Sequence, residues 1–256
     1  MIGSFFIRSL VCMLIFLGLA GCAPKKIPLE RPPETVWADF LSGISEIPPG
    51  QPFLINASVS YITPGQRNRI RSVLWGRINY PIRMDLSAGF GQTIAMWYED
   101  DLVWQAYFPG ENTTYVHHDG SLGASMLGYP SPLDLRATVM VLLGAFGELV
   151  PETYHRAIIY NGRWKYEVKD HLVQEVVLAQ DGTVHSMAGQ GWQVVLGDRT
   201  ENGEFSYYSR LDMELSDSDR ALVRIRSVSF NGEGWEDDQL ILETPPGAGV
   251  VYLPDF

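Results

Sequence analysis

Three spacings of apolar residues divide the chain. Leu10 to Leu19 is a nearly continuous apolar run. Val36, Trp37, Phe40, Leu41 and Ile44 then recur at helical spacing, so they share one stripe of a short helix that Thr35 is placed to cap and Pro48-Pro49 to stop. From Phe53 the period changes to two. Phe53, Ile55, Ala57, Val59 and Tyr61 alternate with mostly polar neighbours and run into the turn Thr63-Pro64-Gly65-Gln66. The same pattern predicts strands over 69–78, 81–88, 93–99, 102–108 and 113–117, with Ile94, Met96 and Tyr98 sharing a face of one of them. The turns between them are too short for parallel crossovers, so these strands are expected to form an antiparallel meander.

The pattern breaks once. Ser131-Pro132 has the form of a helix start, and Leu133, Leu135, Val139, Leu142 and Leu143 supply a helical face that ends near Gly144 to Gly147. Met140, Val141 and Phe146 widen that face until the helix is apolar over most of its circumference. Such a helix must be enclosed or must face an apolar cavity. After Pro151 the two-residue period resumes through 155–160, 163–168, 171–179, 183–188, 191–196, 204–215 and 221–231, and a last strand pair is expected from 240–243 and 250–253. No repeat or compositional break divides the chain, so a single α+β domain over 35–256 is predicted.

Composition narrows the function. Of 256 residues, 46% are hydrophobic and 19% charged, enough apolar surface for a real core. A formal charge of −11 repels polyphosphate and argues against general nucleic-acid binding. The only apolar run long enough to matter for a membrane is the first one, which excludes a multi-span protein. There, Arg8 followed by Leu10 to Leu19 has the layout of a secretory signal peptide. Leu19-Ala20-Gly21-Cys22 resembles the lipobox of bacterial lipoproteins. That resemblance implies that residues 1–21 are removed and that Cys22 becomes the lipidated first residue. Cys12 leaves with the signal, so no internal disulfide is expected and stability must come from packing. Residues 22–34 hold Pro24, Pro28, Pro32 and Pro33 and read as an extended tether. Ala23, not Asp, follows the cysteine, which by the sorting rule of enteric bacteria implies the outer membrane, facing the periplasm.

Catalytic signatures are missing. No G-x-S-x-G elbow, phosphate loop, dinucleotide fingerprint or H-E-x-x-H pair occurs. The nearest approach to a metal cluster is His117-His118-Asp119, with His155, His171 and His185 distant in sequence. Adjacent histidines on a strand point to opposite faces, so no metal site is expected and 117–120 reads as a hairpin end. Glu99-Asp100 and Asp237-Asp238 fall at turns, so no acid/base pair is expected either. No cofactor and no catalytic residue are expected. One loop stands apart: Ala88-Gly89-Phe90-Gly91-Gln92-Thr93 places a large apolar residue between glycines, where it either folds back or waits for a partner.

Taken together, the lipobox, the tether with its Trp-bearing helix, the meander and this loop resemble the LolA/LolB lipoprotein-localisation superfamily, on the LolB-like side because of the lipid anchor. Trp75, Arg83-Met84-Asp85-Leu86, Phe90-Gly91-Gln92-Thr93, the helix from Ser131-Pro132-Leu133 to Leu143-Gly144, and Leu242-Glu243-Thr244-Pro245-Pro246-Gly247 carry the resemblance. It implies an antiparallel sheet curled into an incomplete, half-open β-barrel, with short helices closing an apolar cavity that receives acyl chains. Its implied lining is Trp75, Met84, Leu86, Ile94, Met96, Trp104, Leu135, Val139, Leu142 and Met213, with Met140 on another plausible inner face. Phe90 takes the family's protruding apolar position, which assists lipid insertion. The implied function is non-catalytic: binding lipoprotein acyl chains or lipid, with a periplasmic carrier protein as a possible partner. The alternative is a lipid-anchored envelope scaffold whose half-barrel binds another protein.

Overall fold

A computed structural model of the chain describes residues 30–89, 91–129, 132–202, 205–215, 219–230 and 234–255. The proposed signal peptide, Cys22, most of the tether and Phe90 lie outside the described residues. Among the described residues no helix is long and apolar enough to cross a membrane.

Among the described residues the strands form one sheet of fourteen. Six of them are β1 (Pro52–Thr63), β2 (Gln66–Arg77), β3 (Ile82–Ser87), β4 (Thr93–Glu99), β5 (Trp104–Phe108) and β6 (Thr113–His117), each antiparallel to the next. A second meander follows: β7 (Arg156–Tyr160), β8 (Arg163–Glu167), β9 (Glu175–Leu178), β10 (Val184–Gly189), β11 (Trp192–Asn202), β12 (Phe205–Glu214) and β13 (Arg220–Phe230). The two join where β1 pairs with β13, so the first strand of one meander meets the last strand of the other. The outermost strands do not pair with each other, and the sheet stays open. Bulges at Asn56/Ala57 and between Leu86 and Ser87 sharpen its curl, because an extra residue on one strand bends and twists the ladder.

Helices occupy the hollow side. Between the meanders lie α2 (Gly120–Met126) and α3 (Leu135–Leu143), and α1 (Pro33–Ser42) precedes the sheet. In α1 the apolar stripe is as predicted, with Val36, Trp37 and Phe40 buried. Its start differs: Pro33 opens the helix after Pro32 and no side chain caps it, so Thr35 is not the cap. Proline at the first position loses nothing, since that N–H has no helical partner. In α3 the cap is Asp134, whose carboxylate accepts from Ala137 N at 2.6 Å, and the helix ends on Gly144 in the left-handed conformation. Both faces of α3 are covered, as its all-round apolar sequence requires: Leu135, Ala137 and Val139 to Leu143 are all buried.

Two expectations are corrected. His117-His118-Asp119-Gly120 is more than a hairpin end: His117 closes the β5–β6 hairpin opposite Trp104, but Asp119 then caps α2 by accepting from Leu122 N at 2.9 Å. The last strand pair does not form. After β13 the chain instead crosses the convex face of the first meander. Trp235 Nε1 donates to Phe53 O, Trp75 Nε1 to Gln239 O and Arg83 to Ile241 O, and Leu240 and Leu242 are buried on the way. A short α4 (Asp237–Leu240) forms in this strap, and β14 (Gly249–Tyr252) then pairs with β6 in parallel, the sheet's one parallel pair among the described residues.

Candidate functional site

The concave face of the sheet and the inner side of α3 enclose a hollow of about 410 Å³. Its wall comes from β1 (Val59, Tyr61), β2 (Ile70, Ser72), β3 (Met84, Leu86), β12 (Met213) and β13 (Ala221, Val223), all of which share the inner face by the two-residue period. Leu133, Leu135 and Thr138 close it from the side of α3. The size falls in the range of about 300–1,000 Å³ typical of small-molecule sites. A narrower apolar space of about 70 Å³ continues from it between Ala57, Leu74, Val141, Leu142 and Leu211.

Its floor is built by close packing of glycines on an indole. A Cβ on Gly123 would come within 2.7 Å of Trp104 Cε3, and one on Gly120 within 2.4 Å of Glu99 Oε2, so α2 reaches the sheet only because both positions lack side chains. Trp104 is 1% exposed and stacks edge-on against Trp97 at 5.3 Å. Trp97 Nε1 and Ser72 Oγ, both on residues of the wall, are buried with no hydrogen-bond partner among the described residues.

Glu99 is the exceptional wall residue. It ends β4 and is 4% exposed. Oε2 accepts from Leu135 N at 2.9 Å, at the N-terminus of α3, and Oε1 accepts from the Tyr80 hydroxyl at 3.0 Å. Those hydrogen bonds favour the carboxylate, but burial outweighs them and nearby Asp134 adds repulsion, which together push the Glu99 pKa up to about 7. Burial and the neighbouring Glu99 likewise push the Tyr80 hydroxyl far up, so it stays a donor.

A pH dependence follows. Native Glu99 holds its proton up to about pH 7, whereas the unfolded chain releases it near the ordinary 4.5. Between these values the native state binds more protons, so stability falls as pH rises. The fall amounts to about 3 kcal/mol and is complete above the native pKa. Urea unfolding of wild type and Glu99→Gln at pH 5 and pH 8 checks this: the variant is expected to lose most of that slope. An equal slope in both chains would exclude Glu99 as its source.

No protein-family model matches the sequence, and no curated protein matches it. Solved structures do match the fold. A LolA superfamily protein from Nitrosomonas europaea superposes with a TM-score of 0.53 over 82% of this chain and 97% of its own, at 8% identity. A DUF1329 family protein from Desulfovibrio piger gives 0.56 over 81% and 96%, also at 8% identity. A putative outer membrane lipoprotein-sorting protein domain from Vibrio parahaemolyticus gives 0.50 over 80% and 94%, at 7% identity. The fold is the LolA-like open barrel.

Within that LolA-like barrel, most of the expected lining residues meet. Met84, Leu86, Ile94, Trp104, Leu135 and Met213 line the main hollow, and Leu142 lines its narrow extension. Three do not. Trp75 lies on the convex face, where its indole donates to the strap and stacks on the Arg83 guanidinium at 5.2 Å. Its neighbour Leu74 is the one turned inward. Met96 pairs with Asp85 and Tyr107 and sits on the convex face with them. Val139 is 1% exposed but touches neither space; it packs on the flank of α3, as does Met140.

Parity explains the Met96 error. Leu86 pairs with Ala95 and Ser87 with Thr93, so Ile94 is the extra residue of a bulge. Ile94 is thereby turned into the hollow, while the regular alternation beyond it puts Ala95, Trp97 and Glu99 inside and Met96 and Tyr98 outside. Counting by twos from the small Ala95 and the large Trp97 would have found Glu99. The signal was present, but the Asp100-Asp101 turn beside it concealed it.

Proposed function

We propose that this chain is an outer-membrane lipoprotein, anchored through Cys22 and facing the periplasm, whose half-barrel accepts acyl chains of lipoproteins or lipids and helps place them in the membrane. It does so without covalent chemistry. The observation that carries this reading is the hollow itself: about 410 Å³ of mainly apolar space that the chain's own side chains leave unfilled. Each methylene that enters is worth about 0.8 kcal/mol, so about ten of them supply about 8 kcal/mol, a micromolar affinity before ordering costs.

The wall also selects the kind of acyl group. Its ionisable groups are Glu99, Asp134 and tyrosines, with no Lys, Arg or His among the described residues that line it. A free fatty-acid carboxylate finds no counter-charge among the described residues there, whereas a neutral ester or amide chain needs none. Esterified or amide-linked chains, as on a lipoprotein, fit the site better. Lipoprotein sorting also appears in the name of the Vibrio neighbour, which supports this cargo class. Phe90 then serves as the apolar tip that enters the bilayer. In the sequence it lies between β3 and β4, whose residues Leu86 and Ile94 both line the hollow.

Fractionating the envelope of a deletion strain tests the proposal. Lipoproteins are expected to accumulate away from the outer membrane, and complementation with the wild-type chain is expected to restore them while Phe90→Glu is not. Normal lipoprotein distribution in the deletion strain and full rescue by Phe90→Glu would both count against it. A stoichiometric co-purifying protein in place of acyl lipid would favour the scaffold instead.

A further inference from the structure

Away from the hollow, three metal-ligating side chains converge where the strap ends. Asp255 follows β14 and places Oδ1 3.2 Å from His117 Nε2 and 3.0 Å from His118 Nδ1. The two imidazoles stack at 4.6 Å with their planes 23° apart. Adjacent histidines meet in this way because His117 is the last residue of β6, and the chain has left the strand's alternation at His118. The three donor atoms lie within 4.8 Å of one another.

We propose that His117, His118 and Asp255 bind a divalent transition metal of the zinc class. Three features of the site support this. First, the donor set is two imidazoles and one carboxylate, the hard-to-borderline mixture that zinc and its neighbours take. Second, Asp255 Oδ1 stands 3.2 and 3.0 Å from the two nitrogens and all three donor atoms lie within 4.8 Å, so small side-chain rotations bring them to the ~3.3–3.6 Å separations of ligands held at ~2.0–2.2 Å in a tetrahedron. Third, His117 is 4% exposed and its Nε2 makes no hydrogen bond of good geometry among the described residues, despite the carboxylate beside it.

The other nitrogen of His117 is already positioned for this role. Nδ1 lies 2.8 Å from both the carbonyl oxygen and the amide nitrogen of Asp119. When Nδ1 carries the proton it donates to that carbonyl, and the Nε2 lone pair is left on the side of Asp255, where the exposed His118 ring reaches the same ion by turning out of its stack. A backbone carbonyl behind a ligating histidine is the usual way of fixing the metal-binding tautomer. In the other tautomer, Nδ1 accepts from the Asp119 amide and Nε2–H faces the carboxylate, which gives a neutral-imidazole contact to Asp255 with no metal. His118 and Asp255 are 66% and 74% exposed, so a metal has an entry path and water can complete its coordination.

The bound ion would join three elements: β6, the strap end beyond β14, and, through Asp119, the cap of α2, whose Gly120 forms part of the wall of the hollow. It would act as a clasp on the parallel edge pair, whose register is otherwise set by main-chain bonds such as Leu253 N to Val116 O at 2.9 Å.

The test uses the full chain without a histidine tag, stripped with chelator and titrated with cobalt(II) and zinc(II). One cobalt per chain is expected, with visible absorption of a four- or five-coordinate ion, and zinc should displace it. Loss of an outer-shell partner alone lowers metal affinity by about 10–100-fold, so His118→Ala and Asp255→Asn are each expected to weaken binding at least that much. Both positions are exposed, so the variants should fold. Zinc is also expected to raise the unfolding midpoint of wild type but not of Asp255→Asn. No binding, or binding and midpoints unchanged in both variants, would overturn the proposal and leave a metal-free His–Asp contact.

Discussion

Replacing Trp37 with alanine is expected to destabilise the protein by about 3–5 kcal/mol, enough to remove much of the net stability of an ordinary domain. Trp37 is 4% exposed and lies at the centre of an aromatic cluster. Its ring centroid is 4.7 Å from Tyr166, 5.2 Å from Phe40 and 5.3 Å from Tyr154. Its Nε1 donates to Glu152 O at 2.9 Å, and the Tyr166 hydroxyl donates to Pro33 O at 2.7 Å, so the same cluster fixes both ends of the contact between α1 and the second meander. Truncation would leave a cavity the size of an indole and an unpaired carbonyl, and the surrounding rings have few ways to close over it. Urea unfolding measures the loss. Leu102→Ala, at a position 77% exposed, serves as control and should stay within about 0.5 kcal/mol of wild type. A Trp37 variant as stable as that control would mean that α1 is not part of the folded core.

Local periodicity made most of this architecture legible. All seven strands of the second meander, the turn at Pro64-Gly65 and the apolar stripe of α1 follow from which residues alternate and which recur at helical spacing. Long-range arrangements were not legible. Nothing local to Leu240 to Glu243 distinguishes a strand from a strap, because each pattern alternates buried with exposed residues: Leu240 and Leu242 are buried, and Ile241 between them is 53% exposed. The parallel pairing of β14 with β6 depends on the route of that strap, and the hairpin rules do not apply to it. At the site, the Ile94 bulge exchanged the faces of β4 and so misplaced Met96, while the Asp100-Asp101 turn concealed Glu99. The His117–His118–Asp255 cluster joins residues far apart in sequence, so only the folded chain brings them together.

Filling the hollow is the second perturbation with a large expected effect. Thr138 projects from α3 into both the main space and its extension, and Ile94 enters the main space from the opposite wall. Thr138→Trp and Ile94→Trp each place an indole where an acyl chain would lie. Both substitutions occupy space that is already open, so the overpacking cost of about 1–3 kcal/mol usual in a filled core should be largely avoided. Ligand binding is expected to weaken by well over about tenfold, because each ~1.4 kcal/mol of lost methylene burial is one decade of affinity. The two substitutions approach from different elements, so a shared loss of binding with folding intact would locate the ligand between them.

Native mass spectrometry of the full chain, purified in mild detergent and incubated with a diacylated lipopeptide, tests the occupancy of the hollow most directly. One lipopeptide per wild-type chain, with little or none on folded Thr138→Trp and Ile94→Trp, is the predicted result. Equal occupancy on all three chains, or none on wild type, would contradict the assignment of the hollow as an acyl-chain site.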